Sequence, residues 1–272
     1  MTGNEYYIHD IDPVIFHIWG NIGVRYYGLA YALGFVFAIW MFRLLYKKGK
    51  IPLNPDQQFT AMVALFLGVI IGGRLGHMIL YDFDQMIRDP LSVLQVWHGG
   101  MASHGGFAGV VVAAVWIARH YRINFALVTD ILAVMTPCGL MLGRIANFLN
   151  GELWGKVTDV PWAVIFPYSA APGVPIEMIP PRHPSQLYEA ALEGAFLLIY
   201  SQWRVWKTKA LDTPGRISGE FLILYAIGRI ICEQFKESEY SFILGLPRGI
   251  FYSLFMIAGG LVYLYYSRRR SQ

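Results

Sequence analysis

The chain has 272 residues, of which 56% are hydrophobic and only 15% charged, and its mean hydropathy is +0.43. An ordinary soluble domain carries roughly 25% charged residues, so composition excludes a soluble multidomain protein and makes lipid the solvent for most of the chain. The net charge of +4 comes from short basic clusters between apolar segments; these read as juxtamembrane anchors and argue against a nucleic-acid partner.

In chain order, the first twelve residues hold Glu5, Asp10 and Asp12 but no Lys or Arg. They lack the basic region of a cleavable signal peptide, so this segment is expected to be retained. A bilayer crossing needs about 20 apolar residues. On that basis spans are predicted near 24–46, 59–81, 105–118, 125–147, 186–203, 217–234 and 249–267. The third is short, and Gly105, Gly106 and Gly109 at its start predict a helix entering from a tight, re-entrant loop. Between spans four and five, residues 148–185 are rich in Pro and aromatics, as in Pro161-Trp162 and Phe166-Pro167, and read as a compact irregular cap. Pro184 suits the first residue of the fifth helix. The expected fold is therefore an all-α membrane protein with about seven transmembrane helices, one polytopic domain over 1–272 with a cap at about 148–185. Cys138 and Cys232 both lie in apolar stretches, so neither a disulfide framework nor a CxxC metal site is available.

Basic residues orient these spans. Thirteen of the 22 Lys and Arg residues fall on one side and five on the other, while Arg25, Arg74, Arg144 and Arg229 lie within spans or at their ends. The positive-inside rule then places the C-terminus in the cytoplasm, with the N-terminus and the cap outside.

Those four arginines are the first clue to chemistry. Even low estimates charge about 2.5–3.5 kcal/mol for an Arg at the bilayer centre. Snorkelling or a buried ion pair accounts for any single one, but all four map to the extracytoplasmic half, where always-charged forks suit a phosphate. The stretch from Gly143 to Gly155 packs Arg144, Asn147, Asn150, Glu152 and Trp154 into thirteen residues at a span's end. Arg144 and Asn147 share a helix face, and Gly151 and Gly155 allow a turn with exposed backbone N–H groups. Upstream, His98 and His104 each precede a Gly-Gly pair and place imidazoles, apt proton acceptors, at the outer surface. No third His or carboxylate at supporting spacing makes them a metal site. In the sixth span Tyr225, Arg229 and Glu233 follow i, i+4, i+8; the stripe must face protein or a polar cavity, with an Arg229–Glu233 intrahelical pair as the plainer reading.

Gly143–Gly155 resembles the signature of the bacterial prolipoprotein diacylglyceryl transferases. Further likeness lies in Arg25-Tyr26-Tyr27-Gly28-Leu29, Gly72-Gly73-Arg74-Leu75-Gly76, Ser103-His104-Gly105-Gly106, Arg182-His183-Pro184-Ser185-Gln186-Leu187-Tyr188-Glu189 and Gly228-Arg229-Ile230, in family order along the whole chain. The resemblance implies a multi-pass protein of the bacterial inner membrane. It transfers the sn-1,2-diacylglyceryl group of phosphatidylglycerol to the lipobox cysteine thiol of a preprolipoprotein; a thioether forms and glycerol-1-phosphate leaves. It implies Arg144 as headgroup binder and Arg229 as a second essential arginine. His104 and Glu152 join these two as catalytic residues, while Tyr27, Asn147, Gly155, Tyr225 and Glu233 contact substrate. Phosphatidylglycerol, the lipobox segment and membrane lipids are the implied partners, with no metal or other cofactor. Where many relatives are expected to carry an Arg, this chain has Lys236, which keeps the charge and loses the fork. His104 is the candidate base for a thiol of ordinary pKa near 8.5. An anion channel or transporter with intramembrane arginines is the alternative from another class, and a phospholipid-binding scaffold is a third. A channel or transporter predicts discontinuous midplane helices and a repeat relating two halves, which the sequence does not display.

Overall fold

A computed structural model describes residues 6–19, 22–95, 99–237 and 242–269. Among them the helices are α1 (Tyr26–Lys47), α2 (Pro55–Leu80), the short α3 (Phe83–Arg88), α4 (Ser103–His120), α5 (Phe125–Leu149), α6 (Ser185–Glu189), α7 (Phe196–Lys207), α8 (Arg216–Glu233) and α9 (Arg248–Arg269). A π-helical turn at Ala190–Ala195 joins α6 to α7 in one unbroken rod. Helix therefore occupies each of the seven predicted places. By length and composition alone, α1, α2, α5 and α9 are long and apolar enough to cross a bilayer. The protein is a helical membrane protein.

The all-α expectation needs one amendment, because among the described residues the segments outside the helices form three two-stranded pieces. β1 (Tyr7–Ile8) runs parallel to β4 (Val164–Ile165), β2 (Val14–Trp19) pairs antiparallel with β3 (Ile22–Arg25), and β5 (Phe242–Ile243) pairs with β6 (Leu246–Pro247). Arg25, itself exposed, thus ends a strand and does not lie inside the first span.

The chain divides into two compact units, one of residues 39–129 and one of residues up to 38 together with 130 onward. In the 39–129 unit, Asn54 and Gln57 form a reciprocal capping box that starts α2, with Pro55 at its first position. α2 and α4 then meet through glycine. A Cβ on Gly76 would lie 2.7 Å from the Gly105 Cα, and one on Gly68 would lie 2.6 Å from the Gly109 carbonyl oxygen. This is the small-residue packing that lets membrane helices approach backbone to backbone. Gly105 and Gly109, expected at the mouth of a re-entrant loop, thus serve helix contact; the glycines at positive φ before α4 are Gly99 and Gly100.

In the other unit, the fully buried Asp130 accepts from the backbone N–H of Gly215 and of Ser218, each at 2.7 Å, and so caps the start of α8. Arg204 clamps Glu220 bidentately at 2.7 and 2.6 Å, tying α7 to α8. Residues 150–184 are largely irregular and pack around the fully buried Phe166, which touches the rings of His9, Phe148 and Trp154.

Candidate active site

The site begins with α5, whose last turns present Arg144 and Asn147 on one face. Against it runs the α6–α7 rod, carrying Glu189 and Glu193, both with no solvent exposure. The π-helical turn shifts the phase of the rod after Glu189, a departure frequent at functional sites. Gly194 permits the approach: a Cβ there would meet the Met141 Cα and Cβ at 2.6 Å. With only hydrogen at that position, α5 and the rod close until Glu193 lies 3.7 Å from the Arg144 guanidinium and Glu189 lies 3.4 Å from it.

α8 supplies the rest. Arg229 donates a hydrogen bond to Glu189, lies 3.6 Å from Glu193 and pairs with Glu233 at 3.0 Å. Just past the helix, Lys236 reaches Glu189 at 3.3 Å. Three cations, Arg144, Arg229 and Lys236, therefore face three carboxylates, Glu189, Glu193 and Glu233, so their formal charges cancel. Charges this deep persist only when paired. Tyr225 lies on the same helix, one turn before Arg229, stacked on Phe221 and within the field of Glu193 and both arginines.

A second polar network adjoins along α5. Tyr27 donates to Glu152 and accepts from the Asn147 amide, which also reaches Glu152 at 3.1 Å; Asn150 adds a longer contact at 3.4 Å. The Glu152 carboxylate is thus held by three side chains.

The loop that carries Glu152 is fixed by the start of the rod and the segment just before it. Gln186 donates to the Glu152 carbonyl at 2.5 Å and Ser185 to the Leu153 carbonyl at 3.2 Å. Arg182 pairs with Glu237 and donates to the Gly155 carbonyl. The Tyr188 hydroxyl meets His183 Nδ1 at 3.1 Å and Trp162 Nε1 at 2.7 Å. Burial, reinforced by Lys156, holds His183 below the usual histidine range, so its role here is that of a neutral hydrogen-bonding ring.

Several expectations change against this geometry. Gly151 and Gly155 do not offer free N–H groups: Gly151 donates to Phe148 and Gly155 to His183, both at 2.9 Å. Gly155 also bridges Lys236, and a Cβ on it would lie 2.8 Å from the His183 Cβ, so this position packs backbone against backbone. Arg74 is not an open fork either. It is buried and spent on four carbonyls, those of Ser92 at 2.6 Å, Gly99 at 2.5 Å, Val93 and Gly100, and so clamps the loop that leads into α4. His104 stands exposed at the start of α4, within the 39–129 unit. His98 lies outside the described residues. Tyr27, Asn147 and Glu152 come together as one network, and Arg144, Arg229 and Glu233 as the other.

Glu189 and Glu193, to which the sequence pattern attaches no role, complete the cluster. The signal was present: two carboxylates four residues apart inside an apolar run carry the same membrane cost as the arginines.

A family model described as prolipoprotein diacylglyceryl transferase matches residues 13–266. The chain belongs to this family. Relatives named phosphatidylglycerol–prolipoprotein diacylglyceryl transferase include one from Nitrosomonas europaea, 44% identical over 269 residues that cover 95% of this chain and 90% of the relative. One from Vibrio cholerae is 43% identical over 266 residues, covering 96% and 93%. One from Nitrosospira multiformis is 44% identical over 271 residues, covering 95% and 87%.

Proposed function

We propose that this transferase moves the sn-1,2-diacylglyceryl group of phosphatidylglycerol to the lipobox cysteine thiol of a prolipoprotein, at the cluster built on Arg144 and Arg229. The carrying observation is that these two guanidinium groups, from different helices, converge on the same pair of buried carboxylates, Glu189 and Glu193. Two forks aimed at one place suit a single phosphate.

The thiolate sulfur attacks C3 of the glyceryl group, a C–S bond forms, and the C–O bond to phosphate breaks with its electron pair going to the leaving glycerol-1-phosphate. The phosphodiester carries one negative charge and the leaving monoester approaches two, so charge grows where Arg144 and Arg229 stand. Glu233 orients Arg229, and Tyr225 lines the same face of α8 for the headgroup. Tyr27 and Asn147 hold Glu152 for the glycerol hydroxyls or the incoming peptide, and Gly155 holds the loop behind it. His104 is the proton acceptor in this reading; support for that role is the resemblance of Ser103–Gly106 to the family and the ordinary chemistry of imidazole.

In the same reading the chain is one polytopic domain of the bacterial inner membrane with seven spans. The N-terminus and the cap over residues 148–185 are outside and the C-terminus is cytoplasmic, supported by the 13-to-5 basic asymmetry. The deciding experiment incubates purified protein with phosphatidylglycerol and a lipobox peptide and weighs the peptide. A mass gain of one diacylglyceryl group with release of glycerol phosphate is expected, and an unchanged peptide beside lipid binding overturns the reading.

A further inference from the structure

The three carboxylates of the cluster are not held alike. Glu189 accepts from Arg229 and lies 3.3 Å from Lys236, and Glu233 lies 3.0 Å from Arg229. Glu193 sits at 3.6 Å from Arg229 and 3.7 Å from Arg144, beyond hydrogen-bond reach of both, and among the described residues neither of its oxygens accepts a hydrogen bond. It is nonetheless without solvent exposure and stands in the π-helical turn, nearly equidistant from the two forks.

Charge balance gives this placement a meaning. The formal charges of three carboxylates and three cations cancel, so an arriving phosphodiester makes the cluster net negative in a poorly screened place. The anion must take over guanidinium contacts from one carboxylate, and the one with the longest contacts yields them at least cost. Resting on the phosphatidylglycerol reading above, we propose that Glu193 is a positioning residue for that reaction. It spaces the Arg144 and Arg229 forks and is the carboxylate the lipid phosphate displaces from them. Glu193 thus opposes binding and promotes turnover: it competes with the phosphate, while it keeps the forks at the separation the departing phosphate needs.

Two replacements separate these effects. Glu193→Gln keeps shape and removes the competing charge, whereas Glu193→Asp keeps the charge on a shorter arm. Steady-state transfer to a lipobox peptide at varied phosphatidylglycerol, with equilibrium binding of dioctanoyl phosphatidylglycerol to the same preparations, reads both. For Glu193→Gln the expected result is tighter lipid binding and a lower KM together with a kcat reduced by roughly tenfold or more, since misplacing groups by about 1 Å can cost 10²-fold. Glu193→Asp is expected to bind lipid like the parent and to turn over at an intermediate rate. A purely structural glutamate lowers folded yield without tightening binding. Unchanged or weaker lipid binding in Glu193→Gln overturns the proposal; should that variant not fold, parental kcat in Glu193→Asp overturns it instead. A parent protein that transfers nothing in the same assay sinks the functional reading, and the binding comparison still decides the role of Glu193.

Discussion

Arg229 donates a hydrogen bond to Glu189 across forty residues of sequence, and Glu189 has no solvent exposure with which to compensate if that partner is lost. Breaking a buried pair from one side costs about 3–5 kcal/mol, because the remaining charge is stranded. Glu189→Leu takes one carboxylate from Arg229, Arg144 and Lys236 at once, leaving Glu193 and Glu233 to balance three cations. The expected outcome is a lower unfolding temperature in lipid-supplemented detergent and loss of transfer. A variant as heat-stable as the parent removes Glu189 as the anchor of the cluster.

Arg144→Lys tests the fork itself. The charge is kept, but a planar guanidinium that spans Glu189 and Glu193 becomes a point charge. Transfer is expected to fall by about 10²-fold or more, the scale seen when one preorganised donor to a developing anion is removed. Near-normal turnover at matched expression takes Arg144 out of the phosphate role.

How much of this was legible in the residues follows from what each feature costs. Long apolar runs announce themselves, so helices stand where hydropathy places them. Arg144 and Arg229 were conspicuous because charge in an apolar helix is expensive. Arg74 looks the same in sequence, flanked by glycine and apolar residues, and only the fold reveals that four backbone carbonyls consume it. Glu189 and Glu193 were readable by the cost argument but were eclipsed by the arginines. The π-helical turn has no sequence signature, and the satisfied N–H of Gly155 depends on a partner, His183, that spacing alone does not bring near.

Gly194 carries a sharp steric prediction. A Cβ there would sit 2.6 Å from the Met141 Cα, a backbone atom that cannot rotate away. Gly194→Val is expected to push the rod off α5, separate Glu193 from Arg144 and lower stability by about 1–3 kcal/mol, the usual cost of overpacking. Thermal unfolding and transfer measured together check it; a fully active, equally stable variant contradicts the close contact.

Basic asymmetry fixes the expected topology. A reporter fused after Gln272 is expected to be active only in its cytoplasmic form, and one inserted near Thr158 only in its extracytoplasmic form. Both reporters on one side overturn the seven-span arrangement.

His104 gives the last test, in which pH separates base catalysis from positioning. If its imidazole accepts the thiol proton, His104→Gln slows transfer at neutral pH while phosphatidylglycerol affinity stays close to the parent's. A cysteine thiol has an ordinary pKa near 8.5, so at about pH 6.5 only about 1% of it is thiolate, and at about pH 9 most of it is. The variant should therefore regain rate on going from about pH 6.5 to about pH 9 more steeply than the parent does, because the substrate ionises without help as the pH rises. The measurement is the ratio of parental to variant kcat/KM at the two pH values, with lipid binding recorded alongside. A ratio that shrinks with pH assigns His104 to proton transfer. A ratio that stays constant, or a variant that has lost lipid binding, makes His104 a positioning residue and leaves the thiol to its own equilibrium with water.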